Sequence, residues 1–392
     1  MLVIKSKAFI ILILAFGIFG IINTEMGVIG ILPQLAQYYD ISVSTAGLLV
    51  SLFALAVAIS GPFLPLLFSG MNRKKAMLLV IGIFIIGNIV SIFAPNFTVA
   101  LIARIVPAFL HPVYFSLAFT AAASSVSQDQ APKAIGKVFM GVTAGMVIGI
   151  PITSFIANVS TLQLALLFFA IVNIITFLAI LFFVPSMPVK EKMSYGSQVS
   201  VLKKPVLWMA IFSAIFILSG MYAAYSFFAE YLESVTGMSG GLISLMLVLF
   251  GLTGVAGNLL AGKLITNHAL KTVVVFPIIF GVLYLIVYLL GSFTVPMVIL
   301  IALWGVLFTF GLNISQYMIT SSAPEAPDFS NGLFVAFANL GVTIGTIVGG
   351  AFISGMGTQS VMWSALLFLT LGFVAVLFFV PLARKDYKRI AN

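Results

Sequence analysis

The chain has 392 residues, 62% of them hydrophobic and 7% charged, with a formal net charge of +9 and a mean hydropathy of +1.26. This composition excludes a soluble globular domain, and apolar stretches long enough to cross a bilayer recur along the whole length. The absence of cysteine excludes disulfides and thiolate metal sites.

In chain order, the hydrophobic pattern predicts twelve membrane-spanning helices, at 8–32, 44–68, 76–93, 97–124, 133–157, 162–184, 205–229, 239–265, 272–291, 295–321, 329–354 and 361–381. Lys5 and Lys7 precede the first run, which is too long for a signal peptide and lacks a small-residue cleavage site, so an uncleaved span is expected. Inside that span Glu25 is the one ionisable residue, following Asn23 and Thr24. A carboxylate in hydrocarbon is costly, which makes it a functional candidate by default. Span 4 brings Arg104 and, two helical turns on and on the same face, His111. Pro107 and Pro112 flank that turn and are expected to bend the helix and open a cavity. At 1.5 Å per residue Glu25 lies about 25 Å beyond Ala8, and Arg104 about 10 Å below Phe97. Both fall in the outer half of the membrane, so a direct or water-bridged ion pair between spans 1 and 4 is geometrically accessible.

Span 5 carries Gly136, Gly145 and Gly149, a smooth face for close helix packing, and Pro151, which can bend it. Tyr222 and Tyr225 in span 7, and Asn313, Gln316 and Tyr317 in span 10, are polar or amphipathic groups in apolar helices. With Asn23 they are candidates for a substrate cavity, the alternative being ordinary interhelical hydrogen bonds. No HExxH or Ser/His/Asp cluster is visible, which argues against an enzyme, and no filter-like segment interrupts a span, which argues against a channel.

Basic residues set the orientation. Lys5, Lys7, Arg73, Lys74, Lys75, Lys133, Lys137, Lys190, Lys192, Lys203, Lys204, Lys263, Lys271, Arg384, Lys385, Lys388 and Arg389 all fall on one side, leaving only Arg104 of the 18 elsewhere. The positive-inside rule then places both termini in the cytoplasm. The net positive charge reads as this topology signal together with anionic lipid headgroups, and not as a nucleic-acid surface.

The sequence also repeats. "LFFVP" at 181–185 recurs at 377–381, an offset of 196, half of the chain. At the same offset Gly61 meets Gly257, Lys75 meets Lys271, and Gly136, Gly145 and Gly149 meet Gly332, Gly341 and Gly345. A tandem duplication of a six-span unit follows: residues 1–185, a polar cytoplasmic loop at 186–204, and residues 205–392. An even number of spans per unit gives both units one orientation, the arrangement of transporters that hold substrate near mid-membrane between two rocking halves. The charges are not duplicated: Glu25, Arg104 and His111 fall opposite Met221, Leu300 and Leu307. The ionisable chemistry is thus expected in the first half, where a glutamate whose contacts change between states can bind and release a proton.

At these residues the chain resembles the major facilitator superfamily, in particular its twelve-span drug:proton antiporters. "TEMGVIGILP" at 24–33 is similar to the first-span signature of that branch, with Met26 where Phe is usual. "GPFLPLLFSGMNRKK" at 61–75 resembles the loop between spans 2 and 3, and "APNFTVALIAR" at 94–104 the fourth-span motif whose arginine is implicated in proton coupling. "GKVFMGVTAGMVIGIP" at 136–151 resembles the antiporter motif of span 5. Pro65 stands where the superfamily often has an aspartate, which weakens a charge relay in the 61–75 loop.

The resemblance implies an all-α polytopic membrane protein, with two six-helix halves related by a pseudo-two-fold axis along the membrane normal. It implies a proton-coupling role for Arg104, which the buried ionisable residues Glu25 and His111 are expected to share, and Gly61, Arg73, Lys74, Gly145, Gly149 and Pro151 are expected to serve the conformational switch. The expected function is proton-coupled efflux of small amphipathic molecules, the alternative being a specific exporter or uniporter of a metabolite such as a sugar or purine. The expected setting is a bacterial cytoplasmic membrane, with a monomer working among lipids on a proton gradient, without a cofactor or metal.

Overall fold

The structure, a computed structural model, describes residues 7–127, 130–188 and 198–391; Lys5, Lys190, Lys192 and the middle of the 186–204 loop lie outside the described residues. All regular elements among the described residues are helical. Spans 1 to 7 are Lys7–Tyr38, Val43–Ser60, Arg73–Ile92, Phe97–Ser124, Ala134–Val159, Leu162–Phe183 and Pro205–Ser234. Gly240–Leu290 follows, then spans 10 to 12 at Thr294–Ser322, Phe329–Met356 and Thr358–Lys385. The 51-residue helix is two spans, 8 and 9, because His268 leaves helical geometry with φ −145° and ψ 45°. The hydroxyl of Thr272 reaches back across this break to the carbonyls of His268 and Leu264, at 2.9 and 3.2 Å. Twelve spans result, with the break inside the gap left by the hydrophobic pattern. Leu12, Ile86, Phe182, Leu245, Leu289 and Trp363 stand exposed on the outside, as a lipid-facing belt requires.

Spans 1, 4 and 5 depart from simple helices, each at a glycine or proline. Span 1 continues past residue 32, because a tight 3-10 turn at Gly27–Ile31 passes into a last helical stretch with Pro33 at its start. Gly27 and Gly30 permit that turn to press on Phe169 and Ile150. Span 4 breaks between Ala108 and His111, bracketed by Pro107 and Pro112, and the amide of Leu110 turns back to the Pro107 carbonyl at 2.9 Å. Span 5 widens into a π-turn at Gly145–Gly149, ahead of Pro151, whose ring cannot fit against a regular preceding turn.

The two six-helix halves pack in one register. A Cβ on Gly145 would meet Ile22 and the carbonyl of Phe19, while one on Gly341 would meet Leu218 and the carbonyl of Ile215, positions that each differ by 196. Gly149 lies on Asn23, and Gly345 on Ser219, again 196 apart.

The halves meet along two pseudo-equivalent seams, span 2 on span 11 and span 5 on span 8. In the first, the hydroxyl of Thr343 donates to the Ser51 carbonyl at 3.1 Å, and Ser44 lies against Gly350. In the second, Val147 lies on Gly251, Ser154 Oγ is 3.0 Å from Ser244 Oγ, and Asn158 Nδ2 donates to the Gly240 carbonyl at 3.1 Å. The two residue numbers of each pair in this second seam sum to 398. Continued towards the end that carries the termini, that register faces Gly136 with Gly262. There the spans have parted, and a Cβ on either glycine would find nothing within 4 Å. The molecule is therefore sealed at the end away from the termini and open between spans 5 and 8 at the terminal end.

At the terminal end Lys204 pairs with Glu325 at 2.7 Å. Burial pushes the Glu325 carboxyl up, but the hydrogen bond and charge of Lys204 outweigh it and hold it below its ordinary 4.5. A depressed carboxyl stabilises the fold above that value and loses the contribution as the pH falls through the lowered one. Both side chains are substantially exposed, 30% for Lys204 and 48% for Glu325, so the pair is screened. Glu325→Gln is expected to cost less than about 1 kcal/mol at neutral pH, vanishing in acid, by thermal unfolding in detergent. Gly345→Ala is expected to cost about 1–3 kcal/mol in the same assay, since its Cβ would run into the backbone of Ser219, whereas Gly136→Ala has open space and should be neutral or stabilising.

Candidate functional site

Glu25 sits two residues before the 3-10 turn of span 1 and is only 5% exposed, with Arg104 and His111 of span 4 at 4% and 3% exposure. His111 Nε2 lies 3.1 Å from Glu25 Oε2, though without the angle of a linear hydrogen bond. The imidazole stacks on Phe115 at 4.2 Å and meets the edge of Phe53. Arg104 Nη2 donates to the backbone carbonyl of Glu25 at 3.2 Å, and its guanidinium lies over the Phe53 ring at 5.5 Å. The Glu25 and Arg104 of the sequence expectation do come together, but not as an ion pair within 4 Å: the carboxylate's close partner is His111. The physical reason is the turn after Met26. Passing from α to 3-10 hydrogen bonding leaves the Glu25 carbonyl in need of a donor, and a carbonyl in hydrocarbon must find one. Arg104 meets that need, and the break in span 4 brings His111 to the carboxylate.

The backbone around Glu25 is held from two further spans. Thr24 Oγ1 donates to the Gly20 carbonyl at 3.0 Å and accepts from Asn88 Nδ2 of span 3 at 3.2 Å and Asn173 Nδ2 of span 6 at 3.1 Å. Asn23 is fully buried against span 5, where its Oδ1 accepts from Thr153 at 3.3 Å and its Nδ2 is unpartnered. Tyr222, from the other half, lies within electrostatic reach of the Glu25 carboxylate. Tyr222 and Tyr225 pack into an aromatic cluster with Phe250 and Phe308, the Tyr225 and Phe308 rings 4.5 Å apart.

Asn23, Tyr222 and Tyr225, expected in a cavity wall, are thus buried in helix contacts in this conformation; the glycines of span 5 and the aromatic cluster draw them in. Asn313, Gln316 and Tyr317 are half-buried, as cavity-wall groups would be. Asn313 Nδ2 donates to Asn258 Oδ1 at 2.9 Å and Gln316 Nε2 to Asn331 Oδ1 at 3.1 Å. Asn258 and Asn331 are exposed polar side chains in apolar spans, a signal that the sequence reading passed over. Asn88, Asn173, Thr153 and Asn158 were passed over too.

Of the switch residues, Arg73 donates to Ser124 Oγ at 3.0 Å and Lys74 to the Leu181 carbonyl at 2.8 Å, tying the loop after span 2 to spans 4 and 6 of its own half. Gly61 ends span 2 beside Ala336 of span 11, and Gly145 and Gly149 bound the π-turn of span 5, with Pro151 in the first turn of the helix after it. Among the described residues no cluster of His, Asp or Glu has the makings of a metal site.

Residues 14–325 and 212–392 match the family model of the Major Facilitator Superfamily. The chain belongs to the major facilitator superfamily. It is 29% identical over 348 residues to the inner membrane transport protein YdhP of Escherichia coli O157:H7, covering 88% of this chain and 90% of that one. An uncharacterized MFS-type transporter of Bacillus subtilis, YtbD, is 29% identical over 364 residues, 92% of each chain. Among solved structures, a bacterial homologue of the human lysosomal transporter Spinster, inward-facing and occupied, superposes with a TM-score of 0.78 over 97% of both chains at 16% identity. The nucleoside transporter NupG does so at 0.75 and 14% identity, over 96% of this chain and 99% of that one. As a superfamily member the chain is a multi-pass membrane transporter.

The seal makes a direct prediction in a chain that has no cysteine of its own. The Ser154→Cys, Ser244→Cys double variant is expected to close to a disulfide on mild oxidation, because the two hydroxyls stand 3.0 Å apart. Gly136→Cys with Gly262→Cys is expected not to close in this conformation, and to close only when the opposite end opens. Mobility shift on non-reducing gels reads both.

Proposed function

We propose that this transporter is a proton-coupled exporter of small amphipathic molecules, neutral or weakly cationic, working by alternating access. The observation that carries the reading is the Glu25–His111 contact of 3.1 Å, beside the buried Arg104 and the facing Tyr222 of the other half. With Glu25 ionised, His111 neutral and Arg104 charged, the trio is balanced. One added proton leaves a net positive charge in a medium where an uncompensated charge is expensive. A weakly cationic substrate near Glu25 has the same effect. Proton and substrate therefore compete for one compensated site, which is the physical content of antiport. The low count of charged groups in the spans disfavours strongly anionic or polycationic cargo.

The alternating element is the pair of seams. The half containing spans 1 to 6 carries the ionisable trio, and the half containing spans 7 to 12 closes over it. Basic residues gather at the terminal end, which supports placing that end, and so the present opening, in the cytoplasm of a bacterial cell. Gly61, Arg73 and Lys74 at that end, and Gly145, Gly149 and Pro151 in the span 5 seam, are the positions where a change of state bears on contacts. The protein works as a monomer among lipids, uses the proton gradient in place of a cofactor and catalyses no covalent step. A single-metabolite exporter or uniporter remains the second reading, separated from the first by breadth of substrates and by whether flux moves protons.

The test is reconstitution of the wild type and Glu25→Gln in liposomes loaded with a pH-sensitive dye. Drugs, purines and sugars are then screened for substrate-driven proton movement. Wild type is expected to move protons. Glu25→Gln is expected to lose that signal by at least about tenfold, corresponding to 1.4 kcal/mol, while still exchanging substrate. Equal proton movement by both proteins would remove Glu25 from the coupling step.

A further inference from the structure

The internal repeat provides a control within the molecule. Thr24, Asn88 and Asn173 correspond, at the offset of 196, to Gly220, Tyr284 and Leu369. The corresponding contacts are made in space. Gly220 packs directly on Leu369, where Thr24 is bonded to Asn173. The hydroxyl of Tyr284 donates to the carbonyl of Met221 at 3.3 Å, as Arg104 donates to the carbonyl of Glu25 at 3.2 Å. The second half therefore builds the same junction of three spans with a glycine and a leucine, and there a neutral phenol approaches a carbonyl inside a helix that runs unbroken to Tyr225.

The first half builds it at a cost. Thr24 uses its one hydroxyl hydrogen and both of its acceptor positions. Asn173 Nδ2 is divided among Thr24, the Phe169 carbonyl at 2.9 Å and the Gly20 carbonyl at 3.4 Å, and its Oδ1 is buried without a partner. Leucine at that position would avoid the orphaned oxygen, and the other half shows that leucine fits such a junction. Packing alone does not account for the amides. The difference between the halves at this level is Glu25 against Met221, an ionisable side chain on the next residue after Thr24.

We propose that Asn88 and Asn173 are positioning residues for Glu25. By saturating Thr24 from two spans they fix the backbone at the entry to the 3-10 turn, and with it the distance from the Glu25 carboxylate to His111. This rests on the reading of Glu25 as the proton carrier. The titratable and charged groups facing Glu25 are His111 and Arg104 from span 4 and Tyr222 from span 7. A carboxylate whose position against these three varies has a proton affinity that varies with it, so the protonation step is spread and displaced in pH.

The variants are Asn173→Leu and Asn88→Leu, with Leu369→Asn in the second half as the mirror control. Each is reconstituted as the full chain, and substrate-driven proton movement is measured across pH together with KM and maximal rate. Asn173→Leu is expected to keep KM within about twofold and to displace the pH of half-maximal transport by about half a pH unit or more. Asn88→Leu is expected to do the same, and Asn173→Ser, which keeps a hydroxyl near Thr24, to recover part of the displacement. Leu369→Asn is expected to leave the midpoint in place. A uniform loss of rate with an unmoved midpoint, or a displacement equally large in Leu369→Asn, would overturn the proposal and make the amides structural. If Glu25→Gln couples protons like wild type, the reading beneath the proposal fails. If Glu25→Gln loses coupling while Asn173→Leu and Asn88→Leu keep the wild-type midpoint, the positioning role alone fails. Should Asn173→Leu not fold, Asn88→Leu and the serine variant decide the matter by the same midpoint.

Discussion

A carboxyl group in a bilayer must be matched by its surroundings, and much of the first half is arranged around that requirement. Glu25 draws an imidazole to its carboxylate and a guanidinium to its carbonyl, both from span 4. Span 4 can supply both only because it breaks between Ala108 and His111, and span 1 exposes the carbonyl only because it tightens at Gly27. The prolines and glycines are thus the means by which two otherwise apolar helices present polar atoms to each other. In water such breaks would be loosely defined. In hydrocarbon, where each freed backbone group must be satisfied from inside the protein, they are held to a single arrangement.

Duplication explains why this arrangement is affordable. The scaffold needs close helix packing in both halves, and the glycines of spans 5 and 11 provide it in one register, on Asn23 and on Ser219. Once packing is secured twice, one copy is free to carry costly groups and the other to remain apolar. The asymmetry has a mechanical side. A charge-bearing half braced by amides and a facing half built of aromatic rings differ in what they can change. The aromatic cluster around Tyr225 is non-directional and can slide, whereas the hydrogen bonds on Thr24 are directional and cannot. The Glu25 site is thus braced by directional bonds, while the aromatic rings over it are held by non-directional contacts.

Much of this was legible in the sequence. Twelve spans follow from apolar run length alone, because in lipid a span has few alternatives to a helix. Even the division of Gly240–Leu290 at His268 falls in the gap that the hydrophobic pattern left. Glu25, Arg104 and His111 stand out because ionisable groups in hydrocarbon are rare. Their pairing was harder to read. The depth argument put Glu25 and Arg104 at one level but could not tell a carboxylate from a backbone carbonyl, since that choice is made by a 3-10 turn that periodicity does not announce. Asn88 and Asn173 were missed for a different reason: one amide in a long apolar helix looks like any interhelical hydrogen bond until the atom it reaches is known. Asn23, Tyr222 and Tyr225 show the converse, polar groups that read as cavity lining and are covered in this conformation.

The two seams tie these local facts to a cycle. Spans 5 and 8 touch through paired serines and an asparagine at the sealed end, contacts that are short and polar and so can be made and broken with little net change in free energy. At the parted end the same register faces Gly136 with Gly262, two residues with no side chain to obstruct closure. An interface held by a few polar contacts where it is closed, and bare where it is parted, is only weakly biased by its own contacts, so a small difference at the mid-membrane bears on which end is closed. On the proposed reading, a proton on the Glu25 trio would supply such a difference, because it changes the net charge held in the first half. Weak seams are in this sense a requirement of coupling: were either end sealed by a large apolar contact, one proton could not shift the balance.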